Sequence, residues 1–107
     1  MASRIVWTDA AWDDLDAAAD YIDRDSPQYA SAFVRRILAA AKSLREFPER
    51  GRIVPELSSN RVHEMLVQSY RLIYRIDRDR IVILGVVHGA RDLHSLWRAE
   101  RQDRDIE

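Results

Sequence analysis

The chain has 107 residues, of which 47% are hydrophobic and 33% charged, the size and composition of one folded domain with a single core. It has no cysteine, which excludes disulfides and thiol catalysis and indicates the reducing cytoplasm, and no apolar run approaches the ~20 residues of a membrane span. The net charge of −1 is unevenly spread, because residues 1–25 carry −5 and residues 26–98 carry +6. Sixteen of the seventeen basic residues are arginine, which suggests a charged partner, although solvated surface charge is the commoner explanation.

The N-terminal half is predicted to form one strand and two helices. Residues 3–7 alternate as a short strand, and Thr8 then offers an N-cap hydroxyl to a first helix whose other face is lined by aspartates. Ser26 and Pro27 begin a second helix that runs to about Arg45. Because the two helices are joined so tightly, we expect an antiparallel hairpin. The apolar positions are Trp12, Leu15, Ala18, Ala19 and Ile22 in the first helix and Ala30, Phe33, Val34, Ile37, Leu38, Ala41 and Leu44 in the second.

The C-terminal half changes its hydrophobic period from 3.6 to 2. After an extended segment at 53–57 and a turn at 58–60, residues 62–67, 70–76 and 81–87 predict three strands. Their connections are too short for anything but antiparallel hairpins. The fold class is therefore α+β, with a two-helix hairpin packed on a small, mostly antiparallel four-stranded sheet in the order β-α-α-β-β-β.

Two faces of the predicted sheet need cover. In the middle strand, Leu72, Tyr74 and Ile76 share the face that should meet the helices. The last strand is apolar on both faces, which predicts a central position and a second covering layer. That layer is either a short C-terminal helix containing Leu93, Leu96 and Trp97, or another protein. The charged residues 98–107 are expected to be a frayed end, so that 1–107 form a single domain.

Four segments, taken with this order of elements, resemble the RelE/ParE family of bacterial toxins. They are WTDAAWDDL at 7–15, FPERGR at 47–52, YRLIY at 70–74 and VHGARD at 87–92, and the resemblance runs from about Arg4 to Leu96. It implies the toxin of a type II toxin-antitoxin system, neutralised in a hetero-oligomer by a cognate antitoxin whose C-terminal segment folds across the toxin surface. It implies no cofactor, no metal, no membrane association and no sequence-specific DNA binding.

The branches of this family differ in their targets, since RelE-like members cut mRNA on the ribosome and ParE-like members poison DNA gyrase. By resemblance to the nucleases, Glu56 would be the general base, Arg71 the phosphate contact and His88 the third group. The chain departs from that pattern, because Gly89 stands where those nucleases have an aromatic residue. The lysine-based nucleases of the family need a cluster of lysines, and Lys42 is the only lysine in this chain. Each candidate also has a structural explanation: an ion pair or the antitoxin interface for Arg71, a surface ion pair for Glu56, and a hydrogen-bonded imidazole for His88.

The ParE-like interpretation needs a binding surface and no proton-transfer groups, and we favour it. The surface expected to contact the target or the antitoxin contains Arg71, Arg75, His88, Arg91, Leu93, Leu96 and Trp97. A ribosome-dependent mRNA endoribonuclease is the alternative, and a non-toxic protein-binding module is the third class.

Overall fold

The computed structural model describes residues 4–57 and 59–90, which contain two helices and five strands. The helices are α1 (Asp9–Asp23) and α2 (Pro27–Ser43). The strands are β1 (Arg4–Trp7), β2 (Arg52–Ile53), β3 (Val62–Val67), β4 (Tyr70–Ile76) and β5 (Arg80–His88). The two predicted helices and the meander of three strands are confirmed, with bounds that differ by one or two residues. None of the helices within the described residues is long and apolar enough to cross a membrane.

Both helices begin at the predicted caps. The Thr8 hydroxyl accepts a hydrogen bond from the Ala11 N–H at 3.0 Å and donates one to the Ile83 carbonyl at 3.1 Å. Thr8 therefore caps α1 and also fastens its first turn to β5. Ser26 accepts from the Tyr29 N–H at 3.2 Å, and Pro27 follows at the first helical position, where no N–H is needed.

The sheet has the order β1-β5-β4-β3-β2, so that β5 lies between two neighbours, as its apolar sequence predicted. β1 pairs with β5 in parallel, and every other pair is antiparallel. The prediction of four strands was wrong by one. Arg52 and Ile53 pair with Glu64 and His63 as a fifth strand, which is too short to show an alternating pattern of its own and is defined only by this pairing with β3.

The two faces of the sheet carry separate apolar clusters. The face towards the helices, called the inner face, contributes Leu72 and Tyr74 to a core with Phe33 and Ile37, as predicted for β4. The opposite, outer face is formed by Val62, Ile73, Val82, Leu84 and Val87, with Val54 and Leu57 packed on it. The predicted cover by Leu93, Leu96 and Trp97 lies outside the described residues.

Two helix positions predicted on apolar faces are partly in solvent. Trp12 is 43% exposed and Leu38 is 40% exposed. Trp12 stacks on the buried Trp7 with ring centroids 4.2 Å apart and an interplanar angle of 14°. Both residues lie at the β1 edge of the sheet, where the sheet no longer covers them. Helical spacing predicts which face of the helix a residue is on, but it does not predict how far the sheet beneath that face extends.

A β-bulge divides β5 into two segments of opposite phase. Ile73 pairs with Gly85 and Tyr74 with Ile83, so that Leu84 is an extra residue on the β5 side. Ile81 and Ile83 lie on the inner face, and after the bulge Val86 lies there as well. The bulge thus decides which face each later side chain of β5 meets.

Candidate functional site

Arg71, predicted to contact a phosphate or a partner, lies on the outer face and forms ion pairs with the carboxylates of Glu56 and Glu64. Its side chain is only 8% exposed. Its Nη1 and Nη2 donate to the two carboxylate oxygens of Glu56 at 3.0 and 2.8 Å, and Nη1 also donates to Glu64 Oε1 at 2.8 Å. The hydrogen bond to Glu56 is the main reason why the pKa of Arg71 is raised. The bidentate geometry is the strongest that an arginine and a carboxylate form.

Glu64 is the centre of this network and was missed by the sequence interpretation. Its side chain is 1% exposed, and its second oxygen accepts from Arg52 Nε at 2.7 Å. The network of Arg52, Glu56, Glu64 and Arg71 therefore joins β2 and the following loop to β3 and β4. A buried carboxylate is stable only when it is paired with a cation and hydrogen-bonded. Glu64 meets this condition because Arg52 and Arg71 both donate to it.

His88, the third nuclease candidate, is exposed at the end of β5 and lies on the inner side of the sheet. It pairs with Tyr70, and the two rings meet edge to face with centroids 5.2 Å apart. Tyr70 in turn contacts Phe33 of α2 at a centroid distance of 4.9 Å. Because consecutive side chains of a strand alternate, Arg71 next to Tyr70 points to the other face. The fold thus brings Glu56 and Arg71 together and separates both from His88.

The imidazole of His88 also has a local hydrogen bond. The N–H of Ala90 donates to its Nδ1 at 3.2 Å, which leaves Nε2 to carry the proton of the neutral ring. Tyr21, Tyr29, Arg36 and Tyr70 line a concavity of about 430 Å³ together with His88. Desolvation by burial is the main reason why the pKa of Tyr70 is raised.

Arg75, the second predicted contact residue, is bound to Asp77. Its Nε and Nη2 donate to the two oxygens of Asp77 at 2.8 and 2.9 Å, so that the pair is bidentate. Arg61 and Arg80 approach the same carboxylate at 3.2 and 3.4 Å. These hydrogen bonds, led by that from Arg75, lower the pKa of Asp77. The Asp77 carboxylate thus pairs with three arginines and stabilises the β4–β5 hairpin.

The remaining predicted contact residues, Arg91, Leu93, Leu96 and Trp97, lie outside the described residues, and their role stays a prediction. Within residues 4–57 and 59–90 no cluster of three or more histidine, cysteine or acidic side chains could hold a metal ion. A signal for Glu64 was present in the sequence, since it is the one acid among the apolar residues of β3. No local signal identified its partners, which come from other elements.

Comparisons with known proteins agree with this architecture. The family described as the ParE toxin of the type II toxin-antitoxin system parDE matches residues 5–93. Toxin RelE2 of Caulobacter vibrioides is 37% identical over 90 residues, which cover 83% of this chain and 98% of that protein.

Two solved structures are similar as well. The chromosomal ParDE system of P. aeruginosa matches with a TM-score of 0.67 and 25% identity, covering 80% of this chain and 95% of that one. The toxin-antitoxin complex RelBE2 of Mycobacterium tuberculosis matches with a TM-score of 0.55 and 26% identity, covering 82% of this chain and 99% of that one. The chain, with its helix hairpin on a five-stranded sheet, therefore belongs to the ParE/RelE superfamily of type II toxin-antitoxin toxins.

Proposed function

We propose that this toxin acts by binding and inhibiting DNA gyrase, as ParE-like members do, and that a cognate antitoxin neutralises it by binding its surface. The observation that carries the proposal is the separation of the nuclease candidates. Metal-independent RNA cleavage needs a base, a cationic donor and an acid around one phosphodiester. Glu56 and Arg71 lie on the outer face, whereas the imidazole of His88 lies against Tyr70 on the inner side.

The state of Arg71 also disfavours a nuclease. Both of its terminal nitrogens already donate to Glu56, and one donates to Glu64 as well. A phosphate could approach only by displacing a bidentate carboxylate, and both oxygens of Glu56 already accept hydrogen bonds from that guanidinium. Inhibition by binding requires neither group to be free.

The family match supports the same choice, because the matching description is that of a ParE toxin and a similar solved structure is a ParDE system. Other relatives carry RelE and RelBE2 names, so the ribosome is the alternative target to be tested. Both similar structures come from toxin-antitoxin systems, which supports a hetero-oligomer with an antitoxin. Gyrase and ribosomes are cytoplasmic, and the proposal implies the same location for this protein.

The deciding experiment runs both activities on one preparation. The toxin is released from its antitoxin, refolded, and added in parallel to gyrase with relaxed plasmid and to ribosomes carrying mRNA. We expect loss of supercoiling, accumulation of gyrase-DNA cleavage complexes and intact mRNA. Adding the antitoxin back should restore supercoiling, which controls for contaminants.

Cut mRNA with unaffected gyrase would refute the proposal in favour of the endoribonuclease. In that case His88→Ala and Arg71→Ala, each checked for folding by circular dichroism, would identify the catalytic groups through loss of cleavage. If neither target responds while the antitoxin still binds, the protein is a non-toxic binding module.

A further inference from the structure

The concavity beside Tyr21 and Tyr29 lies where the two helices meet and two strands end. Tyr21 is in the last turn of α1 and Tyr29 in the first turn of α2, while Tyr70 begins β4 and His88 ends β5. Its volume of about 430 Å³ is large enough for a small-molecule site. It is here called the hairpin-end pocket, and its lining includes Tyr21, Tyr29, Arg36, Gln68, Tyr70 and His88.

The two tyrosines at the rim of this pocket offer open ring faces. Tyr21 is 64% exposed and Tyr29 is 73% exposed. Within the described residues neither ring stacks on another aromatic side chain, whereas the partly buried Tyr70 contacts both Phe33 and His88. A planar aromatic ligand can therefore stack on Tyr21 or Tyr29 without displacing a ring of the protein.

The charge at the hairpin-end pocket is positive. Arg36 is exposed and, in the part of the chain that the structure describes, forms no ion pair, in contrast to Arg71 and Arg75. No acidic side chain among the described residues lines the pocket. A quaternary ammonium, which aromatic rings alone would favour, is therefore disfavoured beside the guanidinium of Arg36. A guanidinium instead recognises a phosphate group through paired hydrogen bonds.

Polar groups that can contact the edge of a base complete the lining. The Ala90 N–H occupies Nδ1 of His88, so the neutral imidazole presents an N–H donor at Nε2. Gln68 has a φ of 57°, in the left-handed region that residues other than glycine rarely adopt. Glycine would fit this turn without strain, and the glutamine adds to it an amide that both donates and accepts hydrogen bonds.

We propose that the hairpin-end pocket binds a nucleotide unit, with its base stacked on Tyr21 or Tyr29 and its phosphate on Arg36. The unit is a free nucleotide or one residue of a single-stranded nucleic acid, since both present a base face and a phosphate. A duplex is disfavoured, because its bases are stacked on one another. The pocket is a site for binding and not for cleavage, because Glu56 and Arg71 lie on the opposite face of the sheet. This goes beyond inhibition of gyrase and does not depend on which target the toxin has.

Titration of the isotope-labelled, full-length toxin with adenosine monophosphate, followed by nuclear magnetic resonance, tests the proposal. The amide signals of Tyr29, Gln68 and Ser69 should shift at millimolar nucleotide, because these residues line the pocket. Adenosine lacks the phosphate and ribose 5-phosphate lacks the base. Each should bind at least about tenfold more weakly, because each loses one of the two contacts.

Matched variants of exposed residues make the result specific, and circular dichroism checks that each is folded. Tyr29→Ala should weaken nucleotide binding by about tenfold, whereas Tyr29→Phe, which keeps the ring, should change it by less than about twofold. Arg36→Ala should also weaken binding by about tenfold. Arg35→Ala removes the adjacent exposed arginine, which does not line the pocket, and should change binding by less than about twofold.

A short single-stranded oligoadenylate distinguishes the two sources of the ligand. Binding at least about tenfold tighter than that of the mononucleotide would identify a nucleic-acid strand, and equal binding would identify the free nucleotide. The proposal is overturned if millimolar adenosine monophosphate shifts none of the pocket signals, or if Arg35→Ala and Arg36→Ala lose binding equally. Duplex DNA that binds as tightly as the single strand, or tetramethylammonium that binds where the nucleotide does not, would overturn it as well.

Discussion

The buried carboxylate of Glu64 should be among the most sensitive positions for stability. Glu64→Gln keeps the size of the side chain and removes the negative charge that Arg71 and Arg52 share. The affected atoms are almost fully buried, since Glu64 is 1% and Arg71 8% exposed. The substitution therefore leaves a buried guanidinium with Glu56 as its one remaining carboxylate.

The magnitude follows from the two hydrogen bonds that Glu64 accepts. The bond from Arg71 at 2.8 Å is buried and charged, which corresponds to about 1.5–3 kcal/mol. The bond from Arg52 at 2.7 Å contributes less than about 1 kcal/mol, because that side chain is 70% exposed and screened by solvent. We expect Glu64→Gln to lower the free energy of unfolding by about 2–3 kcal/mol, a large part of the roughly 5–15 kcal/mol of a domain.

Urea unfolding followed by circular dichroism and tryptophan fluorescence measures this change. Glu46→Gln, an exposed acid after α2, is the control and should change stability by less than about 0.5 kcal/mol. Glu64→Leu combined with Arg71→Met should be less destabilised than the sum of the single variants, because the two most buried charges of the network are removed together. Equal stability of Glu64→Gln and the wild-type protein would refute the inference that Glu64 anchors the network.

Four further substitutions have expected outcomes in the same unfolding assay. Hydrogen bonds from Arg75 hold the pKa of Asp77 below its usual 3.8. The ionised carboxylate therefore contributes its full stabilisation above pH 3.8 and loses it as the pH falls through the lowered pKa. Asp77→Asn should make the free energy of unfolding less dependent on pH below about pH 4. Thr8→Val should cost about 1–2 kcal/mol, because it removes the cap of α1 and the bond to β5. Gly51→Ala should cost about 1–3 kcal/mol, because its methyl would meet the backbone of β3, whereas Gly89→Ala, 3.2 Å from a carbonyl, should cost less.

Most of the fold could be predicted because its determinants are local. The apolar spacing of α1 and α2, the hydroxyls of Thr8 and Ser26 and the two-residue period after residue 60 each specify an element from neighbouring residues alone. The connections between β3, β4 and β5 are too short for a parallel crossover, so these strands could be predicted to pair as antiparallel hairpins.

The candidate site was harder to predict because its determinants are not local. Glu64 is a lone acid in an apolar strand, and its partners Arg52 and Arg71 reach it only after β2 and β4 have paired with β3. The position of His88 depends on the bulge at Leu84, since strict alternation from Ile83 would have put His88 on the same face as Arg71. The pairing has no signature in the sequence, and the bulge has only a weak one, the isolated Gly85 that follows Leu84 within the strand.

The basic side chains of the folded protein fall into two classes. Arg71 and Arg75 lie in bidentate pairs with carboxylates, so their charges are already matched within the domain. Arg4, Lys42 and Arg45 are exposed and, within the described residues, make no ion pair, so their charges are available to a partner. Substituting Arg71 or Arg75 should therefore first lower the stability of the toxin, and a loss of target or antitoxin binding in those variants is evidence for a contact only if folding is intact. Reversing the charge of the exposed Lys42 or Arg45 should leave the stability unchanged, so a loss of binding in those variants is the clearer evidence of a contact.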